Sequence, residues 1–245
     1  MELQLDKSTW KPVTFGDVVK ELKVTVKNPQ DEGIERVVGL EHIDPENIHL
    51  TRWSSIEDGT TFTKGFKKGH VLFGRRRAYL KKATQASFDG ICSGDITVME
   101  AKEGLLPELL PFLVCNDKFF DYAVQHSAGG LSPRTKFKDL ANYEFLLPPK
   151  DQQAKLAELL WAADDEIQKG VSLKDSLDMK LRVERNAIFS KEGHAYKLNV
   201  ATSQSFRLQK ISAVLDKEEG ILNGIYKSKE FQGSGTRIIL SLIHI

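Results

Sequence analysis

Between Thr60 and Gly90 the chain carries Lys64, Lys67, Lys68, Arg75, Arg76, Arg77, Lys81 and Lys82 against Asp89, although its formal net charge is only +1. Positive side chains at this density suit a polyanion, because each can neutralise a phosphate and release a condensed counterion. Arg134 and Lys136 extend the candidate polyanion-binding set. Arg75, Arg76 and Arg77 follow the apolar run Val71-Leu72-Phe73 and then Gly74. That order predicts a buried strand that turns at the glycine, with Arg75 and Arg77 sent to one side and Arg76 to the other. A guanidinium can hold a phosphate or fork onto guanine, and a cluster of like charges favours phosphate for at least two of the three. Trp53, Phe62, Phe66, Phe73 and Tyr79 interleave with the charge. They are read as strand packing in preference to base stacking.

Chemistry of other kinds finds little footing. His42, His49, His70, His126, His194 and His244 lie far apart without metal-ligand spacing, so no metal site is expected. The chain has no phosphate-cradling loop, dinucleotide fingerprint or nucleophile elbow. Cys92 and Cys115 read as buried reduced thiols. The most apolar stretch, 105–115, is broken by Pro107, Glu108 and Pro111 and falls short of the roughly 20 residues that cross a bilayer. No membrane partner is expected, and an N-terminus without the order of a secretory signal places the chain in the cytoplasm.

The elements that must carry the basic segment fall into three regions. Residues 1–150 mix short β-prone runs, at 35–40, 69–74 and 95–99, with a helical pair over 109–125, so the class is α+β. The picture is a globular domain with a twisted mixed or antiparallel sheet and packed helices. After Pro148-Pro149 the period becomes helical. Over 151–191, Leu156, Leu160, Ala163, Ile167, Leu173, Leu177, Leu181 and Ile188 recur at helical steps, faltering at Gly170. Some forty residues make a helix of roughly 60 Å, so its stripe calls for a partner helix in a coiled coil. Residues 192–239 weakly echo the beginning of the chain and read as the start of a second domain. Residues 240–245, Leu-Ser-Leu-Ile-His-Ile, match the translation of a sequencing-adaptor transposon end, which implies that the natural chain continues; an apolar final strand is the alternative.

Five segments in order carry a family resemblance: Val38–Ile43, Phe66–Leu80, Phe88–Ile96, Ser127–Arg134 and Leu147–Gln153. Together they resemble the target-recognition domain and conserved helix of the specificity subunits of type I restriction-modification systems. Two positions depart from the common pattern. Many relatives carry Asp where His70 stands and Glu-Gln where this chain has Gln152-Gln153, and both are read as tolerated surface variation. The family normally has two recognition domains and two such helices, of which one each is complete here.

The resemblance implies a noncatalytic subunit that reads one half of a bipartite target in double-stranded DNA. It implies that the helix spaces two recognition domains and docks the modification subunits, and through them the restriction subunit. S-adenosylmethionine, ATP and magnesium would then belong to those partners, with no cofactor in this chain. The recognition part of a fused restriction-modification enzyme, or a half-specificity subunit acting as a dimer, are the alternatives.

Overall fold

Val71, Leu72 and Phe73 are apolar at three consecutive positions because the strand that carries them is covered on both faces, and all three are fully buried. The structure is a computed structural model that describes residues 7–189. The second-domain start at 192–239, the segment 240–245 and the side chain of Ile188 lie outside the described residues.

In chain order the strands are β1 (Lys11–Thr14), β2 (Val19–Leu22), β3 (Arg36–Val38), β4 (Ser54–Ser55), β5 (Lys64–Phe66), β6 (Val71–Gly74), β7 (Ala83–Gln85), β8 (Gly90–Cys92), β9 (Ile96–Ala101) and β10 (Glu144–Leu147). The helices are α1 (Phe15–Val18), α2 (Leu110–Val114), α3 (Asp117–Gln125), α4 (Phe137–Leu140) and α5 (Lys150–Phe189). An antiparallel sheet in the order β2-β9-β6-β7 forms the middle layer. A mixed sheet, β4-β3-β8-β5, lies on one side of it, with β3 and β8 parallel. Strands β1 and β10 pair separately and bring the first and last strands of the domain together.

Period-two alternation sorts the middle layer. Val71, Phe73 and Met99 pack with Phe15, Leu110, Val114, Phe119 and Phe120 of the helical side. Leu72, Ile96 and Val98 pack with Val38, Phe66 and Cys92 of the second sheet. The class is α+β, with antiparallel and mixed sheets and a long helix, as the sequence pattern predicts. The expected helical pair resolves into α2 and α3, and the Asn116 side chain caps α3 by accepting from the Lys118 N–H at 2.9 Å. Burial pushes the Cys92 and Cys115 thiols up to about 12, so both stay protonated and unreactive near neutral pH.

Helix α5 runs unbroken for 40 residues, straight through Gly170. Its start is fastened to the domain by side chains that an apolar pattern does not reveal. Gln153 is 1% exposed. Its Oε1 accepts from Leu106 N–H at 2.8 Å, and its Nε2 donates to Pro148 O at 2.9 Å and Gly104 O at 3.1 Å. One and two turns on, Ala157 is buried and the Trp161 indole donates to Glu108 O at 3.0 Å, edge-on to Phe112. Asp164 then meets His49 Nε2 at 2.6 Å. Positions 153, 157, 161 and 164 share one helix face.

This corrects the reading of Gln152-Gln153 as surface variation. Gln153 is an interior amide with both ends paired, and Gln152 Oε1 accepts from the Trp10 indole at 2.8 Å. The predicted apolar stripe lies roughly a quarter-turn around the helix from this docked face. Its first residue, Leu156, is partly buried against the core, whereas Leu160, Ile167, Leu173, Leu177 and Leu181 are exposed. Ala163 is exposed as well.

Candidate nucleic-acid interface

The basic segment is not gathered into one cluster. Lys67 and Lys68 stand in the turn before β6, whereas Arg75 to Lys82 follow it, so a four-residue strand of roughly 13 Å separates the two groups. Lys64 lies in β5 and donates to Ile96 O at 2.9 Å, and Lys82 donates to Leu40 O at 2.6 Å. Both ammonium groups thus satisfy interior carbonyls. Lys81 is held between Asp117 at 2.7 Å and Glu46 at 3.0 Å, and this pairing raises its pKa. Acids that sequence proximity does not reveal reach these lysines from other elements.

What remains available lies mainly beyond the end of β6. Gly74 does not make the turn through a left-handed backbone. A Cβ there would stand 3.1 Å from Lys82 O, and the glycine permits this close approach of the two chains. The chain turns later, at Arg77 (φ 54°), and again at Lys81 (φ 49°), with a tight 3-10 turn over Ala78–Leu80 between them. Left-handed conformations at two non-glycine residues are uncommon and need outside support. Buried Ala78 anchors the turn from below, and Arg77 N–H donates to Pro133 O at 2.8 Å. The turn presents the exposed Arg77 and, 54% exposed, Tyr79.

The second part of the rim is the loop 128–134. Ala128 and Arg134 exchange both backbone hydrogen bonds, at 3.0 and 2.9 Å, which closes a loop whose Gly129 has φ 117°. Leu131 at its tip is 97% exposed. Arg76 ties the two parts together, bridging to Arg134 along the backbone and donating from Nε to Ser132 Oγ at 2.8 Å. Asp95, just before β9, closes the cluster. Arg134 Nε donates to its Oδ1 at 2.7 Å, and Arg76 Nη1 reaches its Oδ2 at 3.5 Å. The hydrogen bond from Arg134, aided by the charge of Arg76, holds the Asp95 carboxyl below its ordinary range.

The predicted alternation of the three arginines therefore does not hold, because the strand has ended at Gly74. Arg75 is half-buried with Nε enclosed and unpartnered, Arg76 is committed to Asp95 and Ser132, and Arg77 projects. Lys67, Lys68, Arg77 and Lys136 make no ion pair among the described residues. Of the aromatic set, Phe66 and Phe73 are core and Phe62 is partly buried. Trp53 stays half-exposed, edge-on to Phe88 and beneath the Arg36 guanidinium at 4.7 Å. Among the described residues no group of acids, histidines or cysteines could hold a metal, and no helix is long and apolar enough to cross a membrane.

His70 has a structural part. Its Nδ1 accepts from the Lys67 N–H at 3.0 Å, which an Asp oxygen could do as well, so either residue would keep an acceptor at this place. Burial lowers the pKa of His70. A depressed folded-state pKa means stability that is present above the ordinary value near 6.5 and lost as pH falls through the folded value. The melting temperature should therefore drop on acidification below about pH 6.5. His70→Asn, which keeps an uncharged acceptor, should flatten that step in a melting series.

Known proteins share sequence and fold with this chain. The chain is 28% identical over 176 residues to the type I restriction enzyme EcoDI specificity subunit of Escherichia coli, covering 70% of this chain and 39% of that protein. It is thus similar in sequence to a type I specificity subunit. No family model matches. The same fold occurs in the HsdS subunit from Thermoanaerobacter tengcongensis, with TM-score 0.55, 20% identity, and coverage of 78% of this chain and 52% of that one. A chain from a structural study of type I R-M complex assembly and conformational transition gives TM-score 0.56 at 20% identity, covering 80% and 53%. The S subunit from M. genitalium gives 0.53 at 17%, covering 78% and 49%. The chain thus spans between about two fifths and half of the length of these specificity subunits.

Proposed function

We propose that this chain is the DNA sequence-recognition part of a type I restriction-modification complex. The domain before α5 reads one half of a two-part duplex target. Helix α5 spaces it from a second recognition element and docks the modification subunits. The observation that carries this reading is the braced rim beyond β6, where a strained turn and a closed loop set Arg76, Arg77 and Arg134 beside exposed Tyr79 and Leu131. Guanidinium groups position a duplex by its phosphates, and adjacent polar and apolar side chains meet base edges. Similarity to the EcoDI specificity subunit supports the reading. On this reading the chain contributes no catalytic group. Methyl transfer from S-adenosylmethionine and the steps that use ATP and magnesium fall to the modification and restriction subunits, and the complex works in the cytoplasm.

The test is selection of duplexes from a random pool by the full chain, alone and with a type I modification subunit. Enrichment of one half-site is expected. Arg77→Ala should weaken binding to all sequences about equally and lower the salt slope by roughly one unit, as loss of one phosphate contact does. The double variant Lys67→Ala/Lys68→Ala, at the far end of β6, should leave the slope unchanged. Failure to enrich any sequence, together with an absence of salt-dependent duplex binding, would overturn the reading.

A further inference from the structure

We infer that Asp95 is a specificity-determining residue: its carboxylate acts as a built-in counterion that withholds Arg76 and Arg134 from phosphates of non-target DNA. This rests on the DNA-recognition reading above. Arg134 engages the carboxylate through two nitrogens, at 2.7 and 3.4 Å, and Arg76 through one at 3.5 Å. The carboxylate is largely covered while both guanidinium groups remain substantially open to solvent, with side-chain exposures of 23%, 40% and 44%. They stand on the rim where a duplex would lie, yet their charge is partly cancelled before it arrives.

The position of Asp95 is fixed by its backbone. Its N–H donates to Ser93 Oγ at 3.2 Å and its carbonyl accepts from Arg75 N–H at 3.0 Å, which keeps the carboxylate beside the rim. Part-exposed ion pairs of this kind are weak, typically up to about 1 kcal/mol in stability, so a properly placed acceptor can displace them. Binding through phosphates alone is the sequence-independent share of affinity, and each contact adds roughly 0.9 to the salt slope. Every phosphate that Arg76 or Arg134 takes requires a guanidinium to leave Asp95 and sets that carboxylate facing a polyanion. A random duplex offers only phosphate in exchange. A target duplex adds base contacts from the braced turn and loop. The cost of freeing the arginines falls on random and target duplexes alike, but the same contacts brace the turn and loop that would make the base contacts, so Asp95 lowers random binding while supporting target binding.

The test is Asp95→Asn in the full chain, with duplex binding measured over a salt series on a random-sequence duplex and on the sequence selected by the wild-type protein. The salt slope on random duplex should steepen by about one unit for each arginine released. Affinity near 0.15 M salt should rise roughly five-fold for one and thirty-fold for two. The target should gain less, so selection from a random pool should return a less defined sequence. Adding Arg76→Ala and Arg134→Ala to Asp95→Asn should restore the wild-type slope, which a merely structural role would not do. Weaker binding by Asp95→Asn to both duplexes would show that the carboxylate only braces the rim and would overturn the inference. So would an unchanged slope with lost preference at one base pair, which would mark a direct base contact. Wild-type protein that binds no duplex would instead overturn the DNA-recognition reading itself.

Discussion

Gln153→Ala should lower the stability of the full chain by about 2–4 kcal/mol, combining the loss of a buried side chain with the unpairing of groups that it satisfies. The amide is shared among three backbone partners: Leu106 N–H, Gly104 O and Pro148 O. The first two belong to the segment between β9 and α2, and the third immediately precedes α5, so one side chain seals the junction of domain and helix. In a unit of this size the melting temperature should fall by roughly 5–15 °C, read by calorimetry. Gln153→Glu gives a test with a distinct sign. Its carboxylate would face two carbonyl oxygens in a buried site, so its pKa should rise, and the variant should regain stability as pH falls and the acid takes up a proton. Melting temperatures equal to wild type for both variants would show that α5 is held by other means.

How far such features could be read beforehand depends on the distance in sequence between the groups involved. Val71-Leu72-Phe73 is legible because continuous apolarity marks a strand covered on both faces. The helix from Lys150 to Phe189 is legible because leucines recur at helical steps. Its docked face is not, since Gln153, Ala157, Trp161 and Asp164 form no apolar stripe and their purchase is hydrogen bonding, small size and one indole. The one available signal was the Pro148-Pro149 stop followed by paired glutamines, which marks a junction without saying which amide turns inward.

The basic segment shows the same limit. Counting charge finds the region but cannot divide it. Lys64 and Lys82 look identical to Lys67 and Lys68 in sequence, and they differ because interior carbonyls of Ile96 and Leu40 come within reach of their ammonium groups. Asp95 lies 19 and 39 positions from its two arginines. Only the packing of β6 against β9, and the closure of loop 128–134 onto Arg76, brings the three together. Arg77 adopts a left-handed backbone that no propensity assigns to arginine, and it does so because Pro133 O holds its own N–H and buried Ala78 anchors the residue after it.

Leu177→Asp should abolish helix-mediated assembly of the full chain. Beyond the docked turns, α5 exposes Ile167, Leu173, Leu177 and Leu181, and Leu177 alone is 52% open. Leu160, Ala163, Ile167, Gly170, Lys174, Leu177 and Leu181 follow alternating steps of three and four, the seam of a left-handed coiled coil. Among the described residues no other helix covers this seam, and the same helix of a second copy has the matching pattern, so the 245-residue chain should sediment as a dimer. An aspartate at the seam must be buried or leave a gap, at a cost of order 2–4 kcal/mol, and a two-fold interface meets it twice. The dimer dissociation constant should then rise by at least a hundred-fold, since each 1.4 kcal/mol is about a factor of ten. Leu160→Asp, nearer the docked turns where Leu160 is only 36% exposed, should act in the same direction but less strongly. Asp178→Lys, one position off the seam, changes charge as drastically and should leave assembly intact. Sedimentation over a concentration series separates these outcomes, and unchanged assembly in both leucine variants would show that the stripe is not the contact surface.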